Sequence, residues 1–269
     1  KLVQIADVEL PDAQLPVKGM GDWAIVSTSK PYSLSSMWEG RTRSDYYKVS
    51  LATGERTLIA KADYAGYRLS PAGKYVGTYN ATDSCWYTIN LADNRKIQLT
   101  TPQNFPAWDE DSDYPDYPRP HGYAGWTKDD AAILLYDRYD IWQFHPEGTE
   151  RPVNLTKNGR TNRVKYRRQR IDNEETFIDV KKPSIFTGFN EADKTLFTGD
   201  TLFKESIGRT DLPGGDYSWI MKSILEEVVP LGDDVTIYPG HEDSSTIGHE
   251  VLYNPFIVEV LNNEINYKG

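Results

Sequence analysis

SIFTGFNEADKTLFTGD (Ser184–Asp200) is where the chain changes its pattern. After Lys194 the sequence reads as α/β. TLFTGD (Thr195–Asp200) is a short apolar strand ending in a carboxylate. LPGGDY (Leu212–Tyr217) is a glycine-rich turn, and Asp216 or Ser218 can cap the helix that follows. Ile220, Met221, Ile224, Leu225, Val228 and Val229 then fall on one face at helical spacing, and Pro230 and Gly232 end the run. VTIYPGH (Val235–His241) is a second apolar strand ending in a polar group.

Two strands therefore deliver Asp200 and His241 at their C-terminal ends. That is where ligands are often placed in α/β sheets. A carboxylate can bridge cations, and a neutral imidazole suits zinc. On spacing alone, a surface Asp in a turn and a capping His explain the same pair better.

Upstream the pattern repeats. DYYKVSLATGE starts at Asp45, CWYTINLADNR at Cys85 and DIWQFHPEGTE at Asp140. Each is an aromatic-rich alternating strand, a polar turn and the start of a second strand (RTLIA, KIQLT, RPVNLT). Matching upstream strands precede two copies, in YRLSPAGKYVGTY from Tyr67 and GWTKDDAAILLYD from Gly125, each folded at a tight turn. The copies are offset by 40 and 55 residues, the longer offset holding the insertion Thr101–Tyr123. A period near 40 with about four strands per unit predicts propeller blades, which need neighbours on both faces. An irregular β-sandwich is the plainer alternative.

These residues resemble known families. SKPYSLSSMWEGRTRSDYYKVSLATGERTLIAKADYAGYRLSPAGKYV and AGWTKDDAAILLYDRYDIWQFHPEG with PVNLT resemble the propeller of prolyl oligopeptidase-type serine peptidases over roughly residues 1–190. The resemblance implies a non-catalytic gate beside a hydrolase domain. No G-x-S-x-G nucleophile elbow is present, so no peptidase role passes to any residue here. LFTGDTLF, IGRTDLPGGDY, TIYPGHE and TIGHE with NPF resemble, in order and spacing, the C-terminal part of metallo-β-lactamase-superfamily hydrolases of the glyoxalase II-like group, over about Thr195–Gly269. That resemblance implies part of an αββα sandwich and a dinuclear metal site for thioester or ester hydrolysis. Asp200 would be the bridging carboxylate and His241 a ligand of the second metal. Zinc is the expected ion, with iron as the alternative. Many relatives have Gly after the His of the P-G-H turn, where this chain has Glu242.

The larger departure is upstream. The family's H-x-H-x-D-H motif is absent. The four histidines are His121, His145, His241 and His249, none in an H-x-H pattern, and His249 has no ligand role in the family pattern. Two ligands do not hold catalytic zinc, which takes about three from the protein. Asp109, Asp111, Asp113 and His121 in the acidic, Pro-rich loop Trp108–Tyr123 are candidate substitutes, or a hard-cation site, but such loops are usually solvated.

The expected fold is therefore mixed: a partial all-β propeller of about four blades (1–190), then an α/β half of a metallo-β-lactamase sandwich (191–269). No Gly/Ser- or Pro-rich linker marks the seam near 189–195. A natural two-domain boundary is usually exposed and flexible, so the sequence reads as a chimera of two fragments. The expected function is no complete catalysis by the single chain. The alternatives are a metal-dependent thioester or ester hydrolase, its site completed by another subunit, and a peptide-binding propeller module.

Composition narrows partners. The formal net charge is −10, which disfavours a phosphate backbone and hence nucleic acid. The basic run Arg163–Arg170 (RVKYRRQR) reads as a solvated strand or turn. No apolar run approaches the roughly 18 residues of a membrane span. The N-terminus lacks a signal peptide's charged start and apolar core. Cys85 is the single cysteine, so there is no intrachain disulfide. Compartment stays open, because the first piece suggests an exported parent and the second a cytoplasmic one.

Overall fold

The computed structural model describes residues 2–113, 116–170, 174–182, 184–211 and 216–267, with side chains up to 262. The turn expected at Leu212–Gly215 lies outside the described residues. Two compact units divide the chain. The first comprises Lys1–Arg138, Trp142–Leu155 and Thr176–Asp179; the second comprises Tyr139–Ile141, Thr156–Glu175 and Val180–Gly269.

The first unit is built on three four-stranded sheets, each in simple chain order. The first holds β1 (Asp12–Gln14), β2 (Trp23–Thr28), β3 (Ser44–Ser50) and β4 (Arg56–Asp63). The second holds β5 (Tyr67–Leu69), β6 (Tyr75–Asn80), β7 (Cys85–Asn90) and β8 (Lys96–Gln98). The third holds β9 (Tyr123–Trp126), β10 (Ile133–Tyr136), β11 (Ile141–Phe144) and β12 (Val153–Asn154). The three repeats are the second hairpins of the sheets, β3–β4, β7–β8 and β11–β12, and all three have an upstream strand. The copy at Asp45 has β2, separated from it by the insertion that holds the short helix Ser36–Glu39.

Alternation along each strand serves two faces. Ile25 of the first sheet packs with Tyr67, Val76 and Ile89 of the second. On the second sheet's other face, Tyr79 and Trp86 pack with Trp126, Ile133, Leu135 and Phe144 of the third. Polar staples reinforce both contacts. The buried Lys48 ammonium donates to the Leu91 carbonyl (2.7 Å) and lies 4.2 Å from the centre of the Trp23 ring. Desolvation lowers its pKa. Buried Asp130, in the tight turn of the third sheet, accepts from Ser70 Oγ (2.5 Å), Ala72 N (3.0 Å) and Lys74 N (3.2 Å) in the tight turn of the second. Tyr75 donates to Glu147 at 2.8 Å; burial, aided by that carboxylate, pushes its pKa up to about 12.

The second unit is built on one five-stranded sheet, in the order β13 (Val164–Gln169), β14 (Ile185–Asn190), β15 (Thr195–Gly199), β18 (Thr236–Pro239), β19 (Ser245–Thr246). A separate hairpin pairs β16 (Leu202–Phe203) with β17 (Ser206–Ile207). Strands that would open a fourth blade, β13 and β14, pair with each other, and β14 pairs with β15. The expected seam lies in the β14–β15 turn. Asn190 Oδ1 accepts from Ala192 N (2.9 Å), Asp193 Oδ1 from Thr195 N (3.2 Å), and residues 192–194 are exposed.

β15 and β18 run parallel. The connection between them carries the helix Tyr217–Ser223, a π-helical turn Ile224–Val228 and a 3-10 turn Val229–Leu231. Asp216, not Ser218, caps it, accepting from Trp219 N at 3.0 Å. Met221, Ile224 and Val228 pack on Leu196 and Ile237 of the sheet, with Ile247 and Ile257 of the helices Ile247–Tyr253 and Pro255–Tyr267. The other face of the same strands leaves Phe197 and Tyr238 exposed side by side, ring centroids 5.7 Å apart. Among the described residues no helix is long and apolar enough to cross a membrane.

Candidate metal centre

The parallel register pairs Leu196 with Ile237, Phe197 with Tyr238 and Gly199 with Pro239, so both strands leave the sheet side by side. Gly240 N donates to Gly199 O at 2.8 Å, which holds the two turns together. This brings Asp200 Oδ1 to 3.6 Å from His241 Nε2. The side chains are 62% and 77% exposed, respectively. The sequence singled out this pair, and the fold juxtaposes it.

Two glycines permit the approach. A Cβ on Gly240 would lie 2.8 Å from Asp200 Oδ1, and one on Gly208 only 1.9 Å from the Asp200 carbonyl oxygen. Beside Gly208, Arg209 holds Asp211 through two hydrogen bonds of 3.0 and 2.9 Å, and its guanidinium keeps that carboxyl below the usual range.

Glu242 has φ +71°, the left-handed region that glycine occupies freely. The glutamate at this point is thus a strained replacement, worth roughly 1 kcal/mol. Glu242→Gly is expected to raise unfolding stability by about 0.5 kcal/mol, the relieved strain being partly offset by glycine's larger unfolded-state entropy. A urea midpoint that falls would mean the glutamate side chain makes a contact worth more than the strain.

Among the described residues, no hydrogen bond links the TIGHE and NPF motifs to the pair. They form a buried staple. Glu250, fully buried, accepts from Glu205 N (2.7 Å), Asn254 Nδ2 (2.9 Å) and the Ser245 hydroxyl. Asn254, also fully buried, donates to Ser206 O at 3.0 Å and accepts from Phe256 N at 3.2 Å. His249 Nε2 lies 2.9 Å from Glu205 Oε1. The β16–β17 hairpin is thereby tied to the helix Ile247–Tyr253. Sequence reading missed this role. The available signal was a Glu and an Asn at helical spacing i, i+4 in an otherwise apolar run.

The remaining candidates do not assemble. Asp111 pairs with Arg138 at 2.6 Å, and Asp109 Oδ1 accepts from Asp111 N at 3.2 Å. Asp113 is exposed, and the backbone of His121 is tied to Ala107. Among the described residues no three His, Cys, Asp or Glu side chains gather as a metal-binding group. Asp200 and His241 alone do not fit a catalytic zinc, which needs about three protein ligands. A cavity of about 170 Å³ lies in the second unit, lined by Lys165, Arg167, Gln169 and Glu227 with apolar neighbours. It does not include Asp200 or His241.

No family model matches the chain. Hydroxyacylglutathione hydrolase GloC of Haemophilus influenzae is 49% identical over 71 residues, 26% of this chain and 34% of that protein. This chain thus spans about a third of the length of that relative. The crystal structure of the BLEG-1 B3 metallo-β-lactamase is similar at 32% identity over 35% of this chain and 41% of that one, with TM-score 0.30. The β-propeller domain of the trilobed protease from Pyrococcus furiosus is similar at 10% identity over 66% of this chain and 53% of that one, with TM-score 0.35. At these TM-scores neither structure fixes the fold. About a quarter of this chain is thus similar in sequence to a metallo-hydrolase of the glyoxalase II-like kind.

Proposed function

We propose that the second unit carries part of a glyoxalase II-like metallo-hydrolase, with Asp200 and His241 as two metal donors, and that this chain by itself has no catalytic turnover. The observation that carries this is the pair itself: two donors 3.6 Å apart at the ends of adjacent parallel strands, with no third ligand gathered among the described residues. Zinc is the ion the donor set suits, with iron as the alternative. The substrate class belongs to the complete site, a hydroxyacyl-glutathione thioester by analogy with GloC. Its hydrolysis would need ligands from another chain.

In the same proposal residues 1–190 derive from a peptidase propeller and residues 191–269 from the hydrolase. The three face-packed four-stranded sheets support the first part. A peptide-binding role is the second reading, favoured by the exposed Leu34, Met37 and Trp38 in the β2–β3 insertion. The test of the main reading is a thioester-hydrolysis assay of the zinc-loaded chain, in which its rate is expected to equal that of Asp200→Ala.

A further inference from the structure

The cavity of about 170 Å³ is lined by residues of the second unit alone and lies apart from Asp200 and His241. Alternation along β13 turns Lys165, Arg167 and Gln169 to one face of the sheet, the face that the helical connection covers. That connection packs through Ile224 and Val228 on Leu196 and Ile237, apolar residues of β15 and β18. The polar edge strand offers it nothing apolar to close on, so a space remains between β13 and the π-helical turn Ile224–Val228. Its floor is apolar, made by Phe189, Leu196, Val228 and Leu231. On its wall Gln169 is 7% exposed and Thr187 8%. Gln169 Nε2 makes two long hydrogen bonds, 3.3 Å to Thr187 Oγ1 and 3.4 Å to Glu227 Oε2. Among the described residues Gln169 Oε1 accepts no hydrogen bond, and no cation pairs with Glu227. Buried polar groups are nearly always paired, so acceptors left open beside a cavity call for a donor from a bound molecule.

We propose that this cavity binds a small zwitterion with an apolar side group, a free aliphatic α-amino acid. The ammonium meets Glu227 and Gln169 Oε1, the open acceptors of the wall. The carboxylate meets Arg167, whose guanidinium donates to Tyr166 O at 2.8 Å and stands on the strand side of the cavity. Lys165 is held by Glu191 at 2.7 Å, so the wall presents Glu227 on its helical side and Arg167 on its strand side as a pair of opposite charges. The apolar side group takes the floor. Size agrees: a cavity of about 150 Å³ accommodates benzene, so one slightly larger suits roughly seven to nine non-hydrogen atoms, the range of valine and leucine. A simple carboxylate leaves the two acceptors unmet, and a simple amine meets Arg167 as a like charge. The site is independent of the metal donors and of the reaction proposed for them.

The experiment is isothermal titration calorimetry of the full chain with L-leucine, and with isocaproate and isoamylamine, which lack its ammonium and its carboxylate respectively. The expected result is one leucine per chain, bound about tenfold or more tightly than either analogue, the factor that a hydrogen bond to a charged group supplies. Glu227→Gln is expected to weaken leucine binding by about the same factor, while its circular dichroism and urea midpoint stay those of the parent. Arg167→Gln is expected to weaken leucine but not isoamylamine. Absence of leucine binding at millimolar concentration would overturn the proposal and leave the cavity a packing gap. Isocaproate bound as tightly as leucine, or leucine bound as tightly by Glu227→Gln as by the parent, would overturn it as well.

Discussion

Replacing Glu250 with alanine is expected to destabilise the second unit by about 3–5 kcal/mol, the range for removing one member of a buried, fully paired network. Its carboxyl is fully buried and takes hydrogen bonds from Glu205 N, Asn254 Nδ2 and the Ser245 hydroxyl. Alanine leaves those donors facing a cavity. Each buried donor left unpaired loses about 1–3 kcal/mol. Asn254 is the worst placed, since it is itself fully buried. Glu250→Gln keeps the volume and one acceptor but turns an amide N–H₂ toward a donor, so about half the loss is expected. Circular dichroism at 222 nm during urea unfolding reads this well, because the longer helices, Tyr217–Ser223, Ile247–Tyr253 and Pro255–Tyr267, are all in this unit. A loss below about 1 kcal/mol for alanine would mean the network is not what holds the hairpin.

The second large effect is expected at Asp130. Asp130→Ala removes one acceptor from three donors in the neighbouring sheet's turn, Ser70 Oγ, Ala72 N and Lys74 N. It also places alanine at φ +56°. Both act in the same direction, and about 3–5 kcal/mol is expected for the buried network and backbone strain together. Asp130→Asn relieves both causes in part. Asparagine tolerates left-handed backbone and keeps one oxygen, so it should recover about half. Aromatic circular dichroism in the near ultraviolet follows this directly, since Tyr79, Trp86 and Trp126 sit in the apolar contact between those two sheets. If asparagine and alanine lose the same amount, neither the backbone nor a single retained oxygen matters, and the intact two-oxygen carboxylate carries the whole effect.

Much of the first unit could be read from its repeats. The aromatic alternation at Asp45, Cys85 and Asp140 marked β3, β7 and β11, and the following polar turns marked their hairpins. β1 and β2 were missed. The insertion that holds Ser36–Glu39 separates β2 from its repeat, and β1 is three residues without alternation. The run Arg163–Arg170 read as a solvated strand or turn. It is a strand, β13, at the edge of the second unit's five-stranded sheet. Charged side chains on an edge strand are a usual defence against further pairing, which is why composition left strand and turn both open. At the candidate metal centre the motif ends gave Asp200 and His241. Their 3.6 Å approach depended on features a sequence pattern does not show: the parallel register of β15 and β18, and the close approach of Asp200 to Gly208 and Gly240, where a Cβ would clash. Glu250 and Asn254 lay inside motifs read for their family context, and their burial became visible only with the hairpin they hold.

On the proposed function, this chain holds two metal donors and not a complete hydrolytic centre. The most direct test is zinc and iron content per chain after purification without chelator, with thioester hydrolysis assayed on the same sample. The expected result is well below one metal per chain and no hydrolysis above Asp200→Ala. Two metals per chain with turnover, both lost in Asp200→Ala and His241→Ala, would contradict it.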